Sequence, residues 1–248
     1  MKTEYGIQMY SLRDITKNDL KASLAEVARQ GYKYVEFAGF FEKSAEEVKA
    51  WLDEYGLVCP STHTGLGLLT DENIGSLIDY HHTIGATRLV VPSGTWKALE
   101  NKEFNVNALN TAAPILKKEG IDLVYHNHSW EYENTVYNRV PMKIIEEECP
   151  DVKFELDVFW AFNAGIDPVS EMERLKDRMD IIHLKDGIPE AEGTKAVGKS
   201  VGEGVAPIKS IIKKALELDM LMIVESEDLN PSGPEETERC IKFLRTID

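Results

Sequence analysis

The 248-residue sequence predicts an α/β fold, a (β/α)8 barrel built as one domain over 1–248. Three observations carry that expectation. Short apolar runs, of the kind that is buried on both faces, alternate with longer amphipathic runs. A glycine recurs where an amphipathic run ends and the next apolar run begins, as when a helix closes before a strand. Eight apolar runs in 248 residues give about 31 residues per unit, enough for a βαβ crossover, and such a barrel takes about 250.

The first run, Tyr5–Tyr10, leads into Ser11-Leu12-Arg13. A doubly wound sheet, the rival topology, usually carries a Gly-rich phosphate loop there, and this sequence has none. Leu20, Leu24, Val27 and Ala28 repeat at three and four, so a helix runs to Gly31, before the run Tyr34–Phe37. Ser44 and Glu47 form a capping box that opens a helix ended by Gly56, ahead of Leu57–His63. His81 and His82 fall in the next helix, before Arg88–Pro92. A helix from Asn107 to Lys118 ends at Gly120 and precedes Asp122–His128. A helix within Val140–Glu147 links to Lys153–Asp157. Asp180–Lys185, a helix Pro207–Leu218, the run Leu221–Ser226 and a helix Pro234–Ile247 complete the count. Gly202-Glu203-Gly204 reads as a turn.

Net charge is −15, which opposes a nucleic-acid or anionic-membrane partner, so neither is expected. No apolar stretch approaches the roughly 18 residues of a membrane span. The N-terminus has no basic end, apolar run or cleavage site, so no signal peptide is expected. Cys59, Cys149 and Cys240 are far apart and odd in number, which suits a reducing, cytoplasmic location and not a disulfide scaffold or thiolate zinc site.

A parallel barrel carries its active site at the C-terminal ends of its strands. Those ends are rich in ligand-type side chains: Gln8 and Tyr10; Glu36; His63; His126-Asn127-His128 with Glu131; Glu155 and Asp157 with Trp160; His183, Lys185 and Asp186; Glu225 and Glu227. Residues i and i+2 share a strand face, so His126 and His128, or Glu155 and Asp157, can both point inward. Carboxylates and imidazoles converging on one mouth need a counter-charge, because buried charges are otherwise unpaired. A divalent metal held by mixed carboxylate and imidazole ligands meets that need. Singly, each residue has a plainer reading. A strand-end histidine can be a hydrogen-bonded core residue, and Asp157 or Glu225 a helix cap. Glu36 and Glu131 can be surface charges. Tyr10, Phe40, Trp96, Trp130 and Trp160 can pack in the core or stack on a sugar ring.

At these residues the sequence resembles the xylose isomerase-like TIM barrels, the sugar phosphate isomerase/epimerase group with inosose dehydratase, ketose 3-epimerases and an apurinic endonuclease among its relatives. The resemblance covers the whole chain. Its pieces are Tyr5-Gly6-Ile7-Gln8-Met9-Tyr10, Tyr34-Val35-Glu36-Phe37, Tyr125-His126-Asn127-His128 with Glu131, Leu156-Asp157 with Trp160, Ile182-His183-Leu184-Lys185-Asp186, Val201-Gly202-Glu203-Gly204-Val205, and Ile223-Val224-Glu225-Ser226. It implies one divalent ion, manganese first with magnesium, cobalt or zinc as alternatives, held by Asp157, His183 and Glu225. The fourth ligand departs from the family's strand 5 glutamate. Either His126 takes that place, or Glu131 folds back to it, or the site is weakened.

The implied activity is isomerisation or epimerisation of a small sugar or keto-sugar through an enediolate. Glu225, His126 and Lys185 are the catalytic candidates; His63, Glu36, His128, Glu131 and Trp160 are the substrate-binding ones. Without the strand 5 glutamate a scheme with a carboxylate on each face of the sugar is in doubt, and a one-base isomerase fits better. A lyase acting on a keto-inositol or 3-keto-glycoside is the alternative. Six histidines and the negative charge stand against a three-metal apurinic endonuclease, and a non-catalytic sugar-binding barrel is the remaining reading. Dimers and tetramers are common in such barrels, so a homo-oligomer is compatible with the resemblance.

Overall fold

The structure, a computed structural model, describes residues 3–133, 135, 136 and 138–247. Its strands are β1 (Gly6–Gln8), β2 (Tyr34–Glu36), β3 (Ser61–His63), β4 (Arg88–Val91), β5 (Asp122–His126), β6 (Lys153–Asp157), β7 (Ile181–Leu184), β8 (Asp186–Ile188), β9 (Val197–Lys199) and β10 (Leu221–Val224). Eight of them form one parallel sheet in the order β2-β1-β10-β7-β6-β5-β4-β3. The two ends of that sheet meet. Val35 N donates to Val58 O at 2.9 Å and His63 N to Phe37 O at 2.7 Å, which closes the TIM barrel. Strands buried on both faces explain the continuous apolar runs, and Ile7, Val35, Leu89, Leu123 and Val224 lie wholly inside.

The local signals act as expected at several helices. Gly31 takes φ 95° and closes helix Leu20–Gln30; that left-handed conformation suits a residue without Cβ. Ser44 and Glu47 form the reciprocal capping box of helix Ala45–Tyr55 at 3.2 and 3.0 Å. Other boundaries move. The fifth strand is preceded by a helix spanning Leu99–Lys118, about two turns longer than the expected start at Asn107. Its first turns leave Leu99 and Phe104 exposed, so no buried stripe marks them. β3 begins at Ser61 because Pro60 has no N–H for the ladder. Helix Pro168–Leu175, which periodicity did not single out, is capped by Asp167 on Ser170 N at 3.0 Å.

The antiparallel hairpin β8–β9 is also unanticipated. Its base is pinned by the buried Asp186 carboxylate. That group accepts from Gly187 N at 2.8 Å and from Gly202, Gly204 and Ala206 N at 3.0 Å each. The turn Gly202-Glu203-Gly204 therefore wraps an anion. A Cβ on Gly204 would stand 2.2 Å from Asp186 Oδ1, so only glycine fits. Among the described residues no helix is long and apolar enough to cross a membrane. Cys59, Cys149 and Cys240 are free and buried.

Candidate metal centre

Parallel pairing sets the mouth of the barrel. His126 lies opposite Glu155, and Asp157 opposite His183. Glu225 follows β10 directly, and its N–H donates to Leu184 O at 3.3 Å. As a result His126, Asp157, His183 and Glu225 each offer one ligand atom, all within 4.8 Å of one another, and all four are buried. Two imidazoles and two carboxylates are a donor set for a divalent cation.

Asp157 supplies the test of that fit. Its Oδ1 accepts from Trp160 N at 2.8 Å and caps helix Val158–Asn163, while its Oδ2 is buried with no hydrogen-bond partner. Lys185 Nζ, 4.0 Å away, is beyond hydrogen-bond reach of this oxygen, so a cation would complete it. The cap and ligand readings of Asp157 are therefore compatible, one oxygen serving each. The imidazoles are oriented from behind. His183 Nε2 stands 2.7 Å from Glu36 Oε1, which leaves Nδ1 facing Glu225 Oε2 at 3.3 Å. His126 Nδ1 stands 3.2 Å from Glu155 Oε2. Metal-ligating histidines are commonly held this way by a carboxylate on the other nitrogen. The residues fit a cation.

A second group, His63, His126, Glu155 and His183, overlaps the first. Its single carboxylate is engaged by imidazoles instead: Glu155 Oε2 lies 3.0, 3.2 and 3.2 Å from nitrogens of His63, His126 and His183. Glu155 is thus the hub of a buried histidine cluster. It was one of the strand-end carboxylates in the sequence, on the same face as Asp157, but not a site candidate; the two-residue spacing was its only signal. Gln8 Nε2 donates to Glu36 Oε1 at 2.7 Å, and Glu227 pairs with Lys185.

Protons compensate the charges where a cation would. Burial opposes charge on Glu36, but His63 and His183 outweigh it and hold that carboxyl well below the usual range. Burial is likewise overcome at Glu225 by Lys185 and His183, and at His183 by Glu155, Glu225 and Glu36, which raise it. His63 rises to about 9 against burial, through Glu36 and Glu155. Burial lifts Asp157 to about 7, with Glu225 adding to it, and Glu155 to about 7, with Glu36 adding to it. Burial and then His183 depress His126 well below its ordinary value; burial takes His128 down to about 3. A cation entering the group would release protons.

Lys185 is buried beside this group, 3.3 Å from Glu225 Oε2 and 4.0 Å from Asp157 Oδ2, with its Nζ 4.8 Å from the centre of the Trp160 ring. Burial would lower its pKa, but Glu225 and Glu227 raise it, so it remains a cation. His63, His126, His128, Glu225 and Glu227 line a cavity of about 650 Å³ together with Tyr10, Phe40, Leu68 and Leu77. His128 stacks on Trp130 at 4.1 Å, and its Nδ1 is buried without a partner. Glu36 lies wholly inside, behind His63 and His183, and does not line that cavity. Glu131 stands apart from both ligand groups. Its Oε1 accepts from Tyr125 OH at 3.1 Å and its Oε2 from His128 N at 2.8 Å, and burial raises it to about 7. Of the two strand 5 options, His126 is therefore the one brought to Asp157, His183 and Glu225. Trp96 is buried on Tyr125 OH at 2.9 Å.

Fold and site together define a class: an enzyme-type (β/α)8 barrel with a candidate divalent-cation site at the C-terminal mouth of its strands. The chain belongs to the xylose isomerase-like TIM barrel family, whose profile matches residues 24–247. It is similar to an inosose dehydratase of Geobacillus kaustophilus (strain HTA426), 29% identical over 189 residues, 66% of this chain and 60% of that protein. The matched region thus spans three-fifths of that relative. A sugar phosphate isomerase/epimerase of Parabacteroides distasonis ATCC 8503 superposes with a TM-score of 0.76 at 25% identity, over 98% of this chain and 93% of that one. A probable 3-DHS dehydratase from Bacillus anthracis superposes with a TM-score of 0.77 at 14% identity, over 98% and 99%, a likeness of fold.

Proposed function

We propose that the protein is a divalent-metal-dependent isomerase or epimerase of a small sugar or keto-sugar, moving a proton at the carbon next to a carbonyl. The observation that supports this is the buried group His126, Asp157, His183 and Glu225 beside Lys185, of which His126 and Glu225 reach the wall of a sugar-sized cavity. A cation held there, manganese before magnesium, cobalt or zinc, supplies Lewis-acid polarisation of the substrate oxygens. The chain's own groups do the rest. Glu225, ionised beside Lys185 and at the cavity wall, takes the carbon-bound proton. Lys185 neutralises the oxyanion that develops as the proton leaves. His128 stays neutral near pH 7 and lines the cavity beside the donor group. Glu36 and Glu155 keep the two ligand imidazoles in one orientation. The cytoplasm is the proposed location.

Incubating metal-loaded protein with a panel of keto-sugars in deuterated water tests the reading. Deuterium is expected next to the carbonyl, and full turnover by the chelated protein refutes it. A lyase is the second reading, favoured by one observation: β5 presents His126 where a two-carboxylate relay needs a second acid. Two of the similar proteins carry dehydratase names, which agrees with it. Loss of water or of an aglycone, in place of simple exchange, assigns the lyase.

A further inference from the structure

Next to the metal-centre cavity lies a second one of about 780 Å³, which none of the chemistry above uses. The two share walls. Segment 64–68 contributes Thr64, Gly65 and Leu68 to the first and Leu66 and Gly67 to the second; Pro92 lines the first and Ser93 the second. Trp130 lines the second cavity while stacking on His128, which lines the first.

Two large aromatic side chains on this second cavity are left open by the fold. Phe104 is 58% exposed and Trp130 38% exposed, although one face of Trp130 is already covered by His128. Alongside them stand Ser93, Lys97 and Asn101, whose side chains have no hydrogen bond or ion pair among the described residues. Open aromatic faces next to unpaired hydroxyl, ammonium and amide groups match the C–H face and hydroxyl rim of a pyranose. An apolar aglycone would leave those polar groups unpaired. For a phosphate the cavity offers the single ammonium of Lys97 and, among the described residues, no bidentate guanidinium.

We propose that this second cavity is a saccharide subsite and that the substrate is a glycoside of at least two rings. The reacting keto-sugar sits at the metal centre and the second pyranose against Phe104 and Trp130. The proposal rests on the reading above for the first ring only.

The test is equilibrium binding to the metal-loaded full chain, which needs no turnover. Glucose is compared with cellobiose, maltose and trehalose, in wild type, Phe104→Ala and Asn101→Ala. At least one disaccharide is expected to bind about tenfold tighter than glucose, and each variant to cut that ratio severalfold. Asn101 is a partly exposed helix residue, so its variant reports even if Phe104→Ala perturbs the helix. A ratio near one in wild type, no binding by any of the sugars, or a ratio unchanged in both variants overturns the proposal. So does an aryl glucoside that binds tighter than every disaccharide and is indifferent to Asn101→Ala. So does a sedimentation shift to a smaller species in Phe104→Ala, which would assign the face to a second copy. Absence of deuterium exchange on keto-sugars, by contrast, sinks the reaction reading and leaves this ratio intact.

Discussion

Asp157→Asn separates two jobs that one side chain performs. Oδ1 caps helix Val158–Asn163 through Trp160 N at 2.8 Å, and Oδ2 is buried without a hydrogen-bond partner, 4.0 Å from Lys185 Nζ. Asparagine keeps an acceptor for the cap but places an NH2 group where a cation needs a lone pair. In chelator, the variant should therefore lose less than about 1 kcal/mol, the worth of the cap that it retains. Asp157→Ala removes the cap as well and should lose a further ~1 kcal/mol. With cation at a hundred times its Kd, wild type should gain about 2.7 kcal/mol by linkage. For a chain of this size that is roughly 5–10 °C in Tm. Scanning calorimetry with chelator, and then with manganese, magnesium, cobalt or zinc, reads both quantities. Asp157→Asn should show little or none of the rise. If it keeps the whole rise, Asp157 is not a ligand; if wild type shows none with any cation, the metal centre itself is refuted.

Glu225→Gln should lower proton exchange by about 10²–10⁴, since it removes the base and one ligand together; a rate within a few-fold of wild type contradicts the role. Glu131 titrates near 7 in the fold, above its unfolded value of about 4.3, so its contribution is complete at low pH and is lost as pH rises through 7. Urea unfolding of Glu131→Gln against wild type should therefore shift in the variant's favour by about 2–4 kcal/mol between pH 4 and pH 8, and a pH-independent difference would count against a buried, raised carboxyl. Asp186→Ala strips the acceptor from four backbone N–H groups and should destabilise by about 3–5 kcal/mol in the same assay, with a loss under about 1 kcal/mol contradicting the pinned hairpin.

Some features were legible because they are local. Helix closure at Gly31 and the box of Ser44 with Glu47 depend on neighbours in the chain, and the alternation of buried strand and amphipathic helix is a short-range period. The strand ends carrying His126, Asp157, His183 and Glu225 could be listed for the same reason, once the barrel rule said which end mattered. The early start of the helix at Leu99 was not legible, because its first turns bury no stripe, nor was the β8–β9 hairpin, which a carboxylate and distant amides hold in place.

The sequence by itself determined the repeating architecture, the acidic balance and the set of candidate donors, since periodicity, capping and charge are properties of neighbouring residues or of composition. Only the tertiary structure decided how the donors divide. Glu36 and His183, separated by 147 positions, meet within 2.7 Å because the barrel closes, and Glu155 becomes a histidine hub because it sits two residues deeper than Asp157 on the same strand face. Whether His126 or Glu131 joins Asp157, His183 and Glu225 likewise depended on geometry: the one lies within the candidate donor group and the other is held by Tyr125 and the backbone of His128. Convergence of side chains from different strands is fixed by register and closure, and neither leaves a spacing that can be read along the chain.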